Sequence, residues 1–389
     1  MNELHKGIIT LMKSAVTQEK NVLPPDFSLE QALPLIRKHN ILTLAYDGAV
    51  RCGISAQDSA MVKMFPAYCK AMMVSEGQIR MLEQIFRVFD REGIDYLPLK
   101  GCTMKGLYPR HELRPMGDAD ILIRTEQYDR IKPLISSLGF EEKMESDHEL
   151  VWRSPSLLLE LHKRLIPSYN QDFYAYYGDG WKLAKIRNGT RFSMTPEDEW
   201  IYLFTHFAKH YRDGGIGCRH VLDLWMWRRA CPEMDEEYIA KILKELQLDV
   251  FHGNMLRLLK MWFEDGAGDC VMEIISEFIF SSGSFGVDEM RVLSRAVRDE
   301  KNSGPSSNGK IRYLWQTAFP GVQVLRNKYT ILKKYPWMLP GVWIVRPVYK
   351  IMRERKSLDK QVKCLEALTK ENLDLRRELL DAVGLKFNF

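Results

Sequence analysis

Two aspartates separated by one residue, Asp118 and Asp120, open the apolar run Ala119-Asp120-Ile121-Leu122-Ile123, and this pair constrains the chain more than any other feature. Side chains alternate along a strand, so residues i and i+2 project to one side. Two carboxylates held that way repel each other unless a cation sits between them. Magnesium, or manganese in its place, suits the pair, because a hard ion takes carboxylate oxygens and keeps positions open for phosphates. A third carboxylate from a neighbouring strand would complete a site for one or two such ions. Glu160 is the good candidate: it interrupts Leu157-Leu158-Leu159-Glu160-Leu161-His162, a run that otherwise reads as a buried strand. A charge there needs a partner or a metal.

The surrounding pattern places these residues. From about Asp26 to Arg91 apolar residues recur at three- and four-residue steps, predicting helices, with Ser28 as an N-cap and Gln31 three residues on. Ser75–Phe89 puts Ile79, Leu82, Ile85, Phe86 and Phe89 on one face, and Gly93 ends it. The texture then changes. Ile94–Leu99 reads as a strand leading into Lys100-Gly101, Gln127–Ser137 as a helix despite Pro133, and Glu149–Arg153 and Leu157–Leu165 as two further strands. Thr195-Pro196-Glu197 signals a helix start, and helices follow to about Arg298. The expected class is α+β, a small mixed sheet embedded in a mainly helical protein.

Taken singly, a D-x-D is common, and a Glu in a strand is more often an edge or salt-bridge residue. The order of parts is more specific: strand, glycine turn, short helix, D-x-D entering an apolar strand, then an apolar strand broken by Glu. In that order the chain resembles the polymerase-beta-like nucleotidyltransferase superfamily. More closely it resembles a bacterial family of uncharacterised nucleotidyltransferases, through Leu99-Lys100-Gly101, Tyr108, Arg114, Asp118 with Asp120, and Glu160-Leu161-His162. The resemblance covers roughly Leu97 to His162. Two departures stand out: Lys-Gly-Cys replaces the usual Gly-Gly or Gly-Ser turn, and the interval from Gly101 to Asp118 is long. The resemblance implies transfer of a nucleoside monophosphate from a triphosphate such as ATP to an acceptor. Asp118 and Asp120 would ligate magnesium, and Glu160 would serve as third ligand or base. An inactive nucleotide-binding or interaction protein is the alternative.

Supporting residues follow from their positions. Lys100 and Gly101 lie where turn amides and an ammonium would meet phosphate oxygens. Arg114 would hold phosphate in a bidentate way or pair with Asp118 or Glu112, and Lys105 is a weaker version of the same idea. His162 faces the side of the strand that Glu160 faces. It would touch the carboxylates or rest as a satisfied core histidine. His206 and His210, at i and i+4, have zinc-compatible spacing, but without H-E-x-x-H they read better as polar lining of a substrate cleft. Trp225, Trp227, Trp315 and Trp343 read as core rather than nucleic-acid platforms.

Expected boundaries are a helical region over 1–74, the nucleotidyltransferase-like core over 75–190, a helical domain over 191–300, a linker over 301–310 and a helical tail over 311–389. Tyr335–Val348 is apolar, broken by Pro336, Pro340 and Pro347, and flanked by Lys333, Lys334, Arg346, Lys350 and Arg353. Packing on the helical domain is the default for it, with shallow membrane contact as the alternative. Tyr349–Ala382 reads as one long charged helix with a weak heptad through Ile351, Leu358, Leu365, Asn372 and Leu379, which would pack on the protein or pair two chains as a homodimer. A net charge of +5 argues against a dedicated duplex binder. Seven scattered cysteines without C-x-x-C, no basic-then-apolar leader and no long apolar stretch point to a cytoplasmic protein without a transmembrane segment.

Overall fold

The computed structural model describes residues 1–386 apart from 169, 265, 285, 304–314, 316–317, 326–328, 330, 354–362 and 365. The chain divides into two compact units, one of residues 1–209 with 216–285, the other of 210–215 with 286–389.

The first unit begins with helices α1 (Glu3–Thr17), α2 (Leu29–Lys38), α3 (Leu42–Cys52) and α4 (Ser59–Glu92). Their ends are written in the sequence. Ser28 Oγ accepts the Gln31 amide, Asp58 caps α4, and Gly93 closes α4 in the left-handed region at φ 65°. Helices α1 and α3 cross closely because Gly48 lies against the α1 backbone, where a Cβ would stand 2.0 Å from the Leu11 carbonyl oxygen.

A seven-stranded mixed sheet follows, with spatial order β3-β4-β5-β2-β1-β7-β6. Its strands are β1 (Tyr96–Pro98), β2 (Ala119–Ile123), β3 (Glu141–Glu145), β4 (Glu149–Arg153), β5 (Leu158–His162), β6 (Lys185–Asn188) and β7 (Arg191–Ser193). Short helix α5 (Gly101–Met104) follows β1, and α6 (Tyr128–Ser137), with Pro133 inside it, follows β2. One sheet face carries Tyr96, Ala119, Ile121, Ile123, Leu150, Trp152, Leu159 and Leu161, which form one core with Leu82, Ile85 and Phe89 of α4 and Ile131 and Ile135 of α6. The opposite face is left for the polar members of the same strands.

Helices α7 (Gln171–Tyr177), α8 (Pro196–Asp213), α9 (Cys218–Ala230), α10 (Glu236–Glu245), α11 (Asp249–Phe263) and α12 (Cys270–Ser282) follow the central strands. Thr195 Oγ1 accepts the Asp198 amide at 3.1 Å, so α8 starts where Thr-Pro-Glu predicts.

In the second unit α13 (Asp288–Ser303) includes the first three residues of the expected linker; 304–310 lie outside the described residues. The expected single helix over Tyr349–Ala382 is corrected. Helices Leu339–Arg353 and Lys370–Ala382 are separate, the latter starting at its own N-cap, Thr369, whose side chain accepts the Asn372 amide. Within Lys370–Ala382 the heptad positions Asn372 and Leu379 are half-buried. Leu373, Arg376 and Leu380 are buried, whereas Leu375 is exposed; Leu358 and Leu365 lie outside the described residues. Arg376 donates to the Tyr211 and Arg212 carbonyls at 3.1 and 2.8 Å, so a side with a charged member is satisfied internally. Trp315, expected in a core, is exposed.

Candidate active site

The site is built on the sheet face opposite the apolar core. Strands β2 and β5 run parallel with Asp120 opposite Glu160 and Leu122 opposite His162, and antiparallel β4 sets Glu149 opposite His162. Paired residues share a face, so the register alone brings Asp120, Glu160, His162 and Glu149 together. Asp118 immediately precedes β2. The edge of the group is closed by Lys100, which stands between β1 and α5 with φ 40° and ψ −105°. That backbone conformation is sparsely populated for a residue with a Cβ.

Asp120 is 4% exposed, and its Oδ1 accepts from Lys100 Nζ at 3.1 Å and His162 Nε2 at 2.7 Å. Burial pushes its carboxyl up, but the Lys100 ammonium and the His162 hydrogen bond outweigh this and hold it well below the usual range. An ionised Asp120 makes His162 Nε2 the donor. Asp118 is shifted the other way, raised by burial and then by the charge of Asp120. Glu160 is raised furthest, to about 8, by burial and by Asp118, Asp120 and Glu149 in turn. The three carboxylates therefore carry less than their full negative charge at neutral pH. Lys100 is pushed up by Asp120, Tyr202 and Asp118 despite burial, so it stays charged.

Donor atoms of Asp120, Glu160 and His162 lie within 4.8 Å of one another, as do those of His148, Glu149 and His162. The first group contains two of the three predicted carboxylates, with His162 as an added neighbour 3.7 Å from Glu160. His148 meets His162 edge to face at 4.9 Å between ring centroids, and burial followed by the cations around it lowers its pKa to about 3.

Two residues predicted to contact nucleotide have partners within the chain. Arg114 is buried and grips Asp223 through Nε and Nη2 at 2.9 and 3.0 Å, while the Tyr108 hydroxyl donates to the same carboxylate at 2.7 Å. Burial works against Asp223, but Arg114 and Arg219 bring its pKa down to about 2. Lys105 Nζ donates to the His111 and Arg114 carbonyls at 2.9 and 3.0 Å, and burial lowers its pKa to about 8. Both cations brace the segment between α5 and β2. Gly101 belongs to the same brace: a Cβ there would meet Met116 at 3.1 Å and the Arg114 guanidinium at 3.3 Å.

His206 is half-buried against the Tyr202 ring, whereas His210, one turn on, is exposed and falls in the second unit. Neither joins a metal-compatible group among the described residues. Glu149, Tyr202, Arg219 and Asp223 border the site without having been singled out for it. For Glu149 a signal existed, since Glu149-Leu-Val-Trp152 is, like the Glu160 run, an acidic residue set beside apolar strand positions.

The family model described as uncharacterised nucleotidyltransferase matches residues 25–264, well over half of the chain. The chain belongs to this family. Membership brings the general activity, nucleotidyl transfer, and the matched span contains the whole sheet and every residue of the face just described. No curated protein matches the chain. Among solved structures, the antibiotic-resistance factor ANT(2'')-Ia, determined in solution, aligns with 44% of this chain and 90% of its own at 14% identity and a TM-score of 0.32, a likeness too slight to carry an argument.

Proposed function

We propose that the chain moves a nucleoside monophosphate from a nucleoside triphosphate to an acceptor at the face formed by Asp118, Asp120 and Glu160, with magnesium or manganese. The observation that supports this reading most is the pairing of Asp120 with Glu160 across β2 and β5. It puts carboxylates on adjacent strands at one point of a buried face, where burial first and then their mutual repulsion raise Asp118 and Glu160. Such a donor set, mostly carboxylate oxygen with one imidazole beside it, fits a hard divalent cation.

Asp118 and Asp120 would hold the cation, with Glu160 as third ligand. When bound, the ion supplies charge neutralisation on the phosphates and polarises the attacking group. In the transfer itself an acceptor oxygen forms a bond to the α-phosphorus, the α–β phosphoanhydride bond breaks and pyrophosphate leaves. The acceptor's proton passes to a carboxylate of the site or to water. Lys100, whose ammonium reaches Asp120 on this face, would meet the phosphates, and the Gly101 turn follows it. His206, next to Tyr202, is the lining residue on the α8 side. The chain is read as a cytoplasmic protein.

The direct test is pyrophosphate release from each of the four ribonucleoside triphosphates with magnesium or manganese, comparing the natural chain with Asp118→Ala/Asp120→Ala. Release by the natural chain, reduced at least about 100-fold in the variant, is expected. A second reading is favoured by one observation: Asp120 Oδ1 is already hydrogen-bonded by Lys100 and His162. A chain that keeps this pairing would bind nucleotide without turning it over. Metal-dependent nucleotide binding with no pyrophosphate release in the presence of extracts supplying acceptors would favour that reading.

A further inference from the structure

Unit two carries a surface that nucleotidyl transfer does not use. Leu325, Leu332 and Val342 close a small apolar core there, with Tyr329, Met338, Leu339 and Trp343 packed around it. The residues beside them point outward. Trp337 and Ile344 are each 75% exposed, Val345 is 60% exposed, and Ile331 and Trp315 are exposed as well. In the helix Leu339–Arg353, Val342 faces in while Pro340, Gly341, Ile344 and Val345 face out, next to Trp337. Several large apolar side chains left in water on one segment mark an interaction surface.

Charge identifies the partner. From Lys301 to Arg353 the sequence has ten Lys and Arg and no Asp or Glu. The rest of the chain has 56 − 10 = 46 Lys and Arg against 51 Asp and Glu, a net charge of −5. The chain's whole positive excess thus lies in one stretch of 53 residues, the stretch that exposes Trp337, Ile344 and Val345. A second copy of this surface would repel the first. A nucleic acid would account for the charge but leave Ile344 and Val345 without a role, since its recognition uses phosphate contacts and aromatic stacking. A bilayer with anionic headgroups uses both features, and an exposed tryptophan is the residue type found at that boundary. No helix among the described residues is long and apolar enough to cross a membrane, so such a contact lies on the surface rather than through it.

We propose that the face carrying Trp337, Ile344 and Val345 docks the chain peripherally on an anionic phospholipid bilayer. Trp337, Ile344 and Val345 enter the boundary between headgroups and acyl chains, exposed Lys334 beside them meets lipid phosphates, and the positive charge of the stretch draws the chain to the anionic surface. The proposal stands independently of the carboxylate site.

The test is co-sedimentation of the full chain with vesicles of phosphatidylcholine alone and of an equal mixture of phosphatidylcholine and phosphatidylglycerol. Sedimentation with the mixed vesicles only, weakened by added salt, is expected. Trp337→Ser/Ile344→Ser/Val345→Ser should weaken partitioning by on the order of tenfold or more. Lys333→Gln/Lys334→Gln should do so by on the order of tenfold. Pyrophosphate release should be unchanged in both, and a thermal midpoint checks that each is folded. Failure of the natural chain to sediment with the mixed vesicles would overturn the proposal. So would a folded triple variant that sediments like the natural chain and is displaced by RNA, which would assign the stretch to nucleic acid.

Discussion

Lys100 occupies the place a cation is wanted, and this makes its removal informative. With Lys100→Met, the Asp120 carboxylate keeps only the His162 hydrogen bond among the described residues, and a buried carboxylate that loses its ammonium destabilises the fold. Saturating magnesium should therefore raise the thermal midpoint of Lys100→Met more than that of the natural chain; equal shifts would mean that Asp120 is not a metal ligand. Arg114→Ala should behave differently. It strips Asp223 of both hydrogen bonds from Arg114, costs about 3–5 kcal/mol, and gains nothing extra from magnesium. Glu160 links the site to pH. Its ordinary value is 4.5 and its folded value about 8, so its contribution to stability is fully present below pH 4.5 and is lost as pH rises through 8. Glu160→Gln removes that loss. The metal-free variant should gain on the natural chain across this window by roughly 2 kcal/mol, about half the undiscounted linkage value because solvent screens this partly exposed carboxyl, read from urea unfolding at pH 5 and pH 8.5. The shared face of Asp120, Glu160 and His162 was legible in the sequence because strand alternation fixes their side. The roles of Arg114 and Lys105 were not. Arg114's partner Asp223 lies 109 residues on, and pairing at that range leaves no local trace.

At the scale of elements, the turn from β1 into α5 is where local sequence and packing meet. Gly101→Ala would push a methyl into Met116 and the Arg114 guanidinium, whereas Gly117→Ala meets nothing within 4 Å. The first should cost about 1–2 kcal/mol and slow pyrophosphate release, and the second should leave packing intact; thermal unfolding of the pair checks this. The two central strands and α4 were readable from period and caps. Strand β3, Glu-Glu-Lys-Met-Glu, was not, because an edge strand guarded by charge has no apolar alternation. The β6–β7 hairpin did leave a signal, the Asn188-Gly189 turn with φ 58° at the glycine. The C-terminal helix shows the opposite failure. Its heptad spacing exists in the sequence, but Thr369 caps a new helix that buries Leu373, Arg376 and Leu380. Leu373→Ser should therefore lower stability by about 2 kcal/mol or more, while Leu375→Ser should not. Any dimer through this helix has to use the Asn372–Leu375–Leu379 side, so sedimentation of Leu375→Ser tests it.

Across the whole molecule, the sheet and the carboxylate face fall within the first unit, as does the family match apart from residues 210–215, and the positive excess falls in the second. A total of +5 conceals this, because the sum cancels a basic stretch against an acidic remainder. The class, α+β with a mixed sheet, was legible from the order of periodicities; the division into these two units depends on contacts between distant segments and was not. The claim on which the account rests is that Asp118, Asp120 and Glu160 form one cation site. The measurement that meets it most directly is calorimetric titration with magnesium and manganese at pH 7, in two buffers that differ in ionisation enthalpy. Because Glu160 is held protonated to about 8, binding should release close to one proton, tighten as pH rises from 6 to 8, and lose its proton in Glu160→Gln. Binding that is unchanged in Asp118→Ala/Asp120→Ala, or that releases no proton in the natural chain, would contradict it.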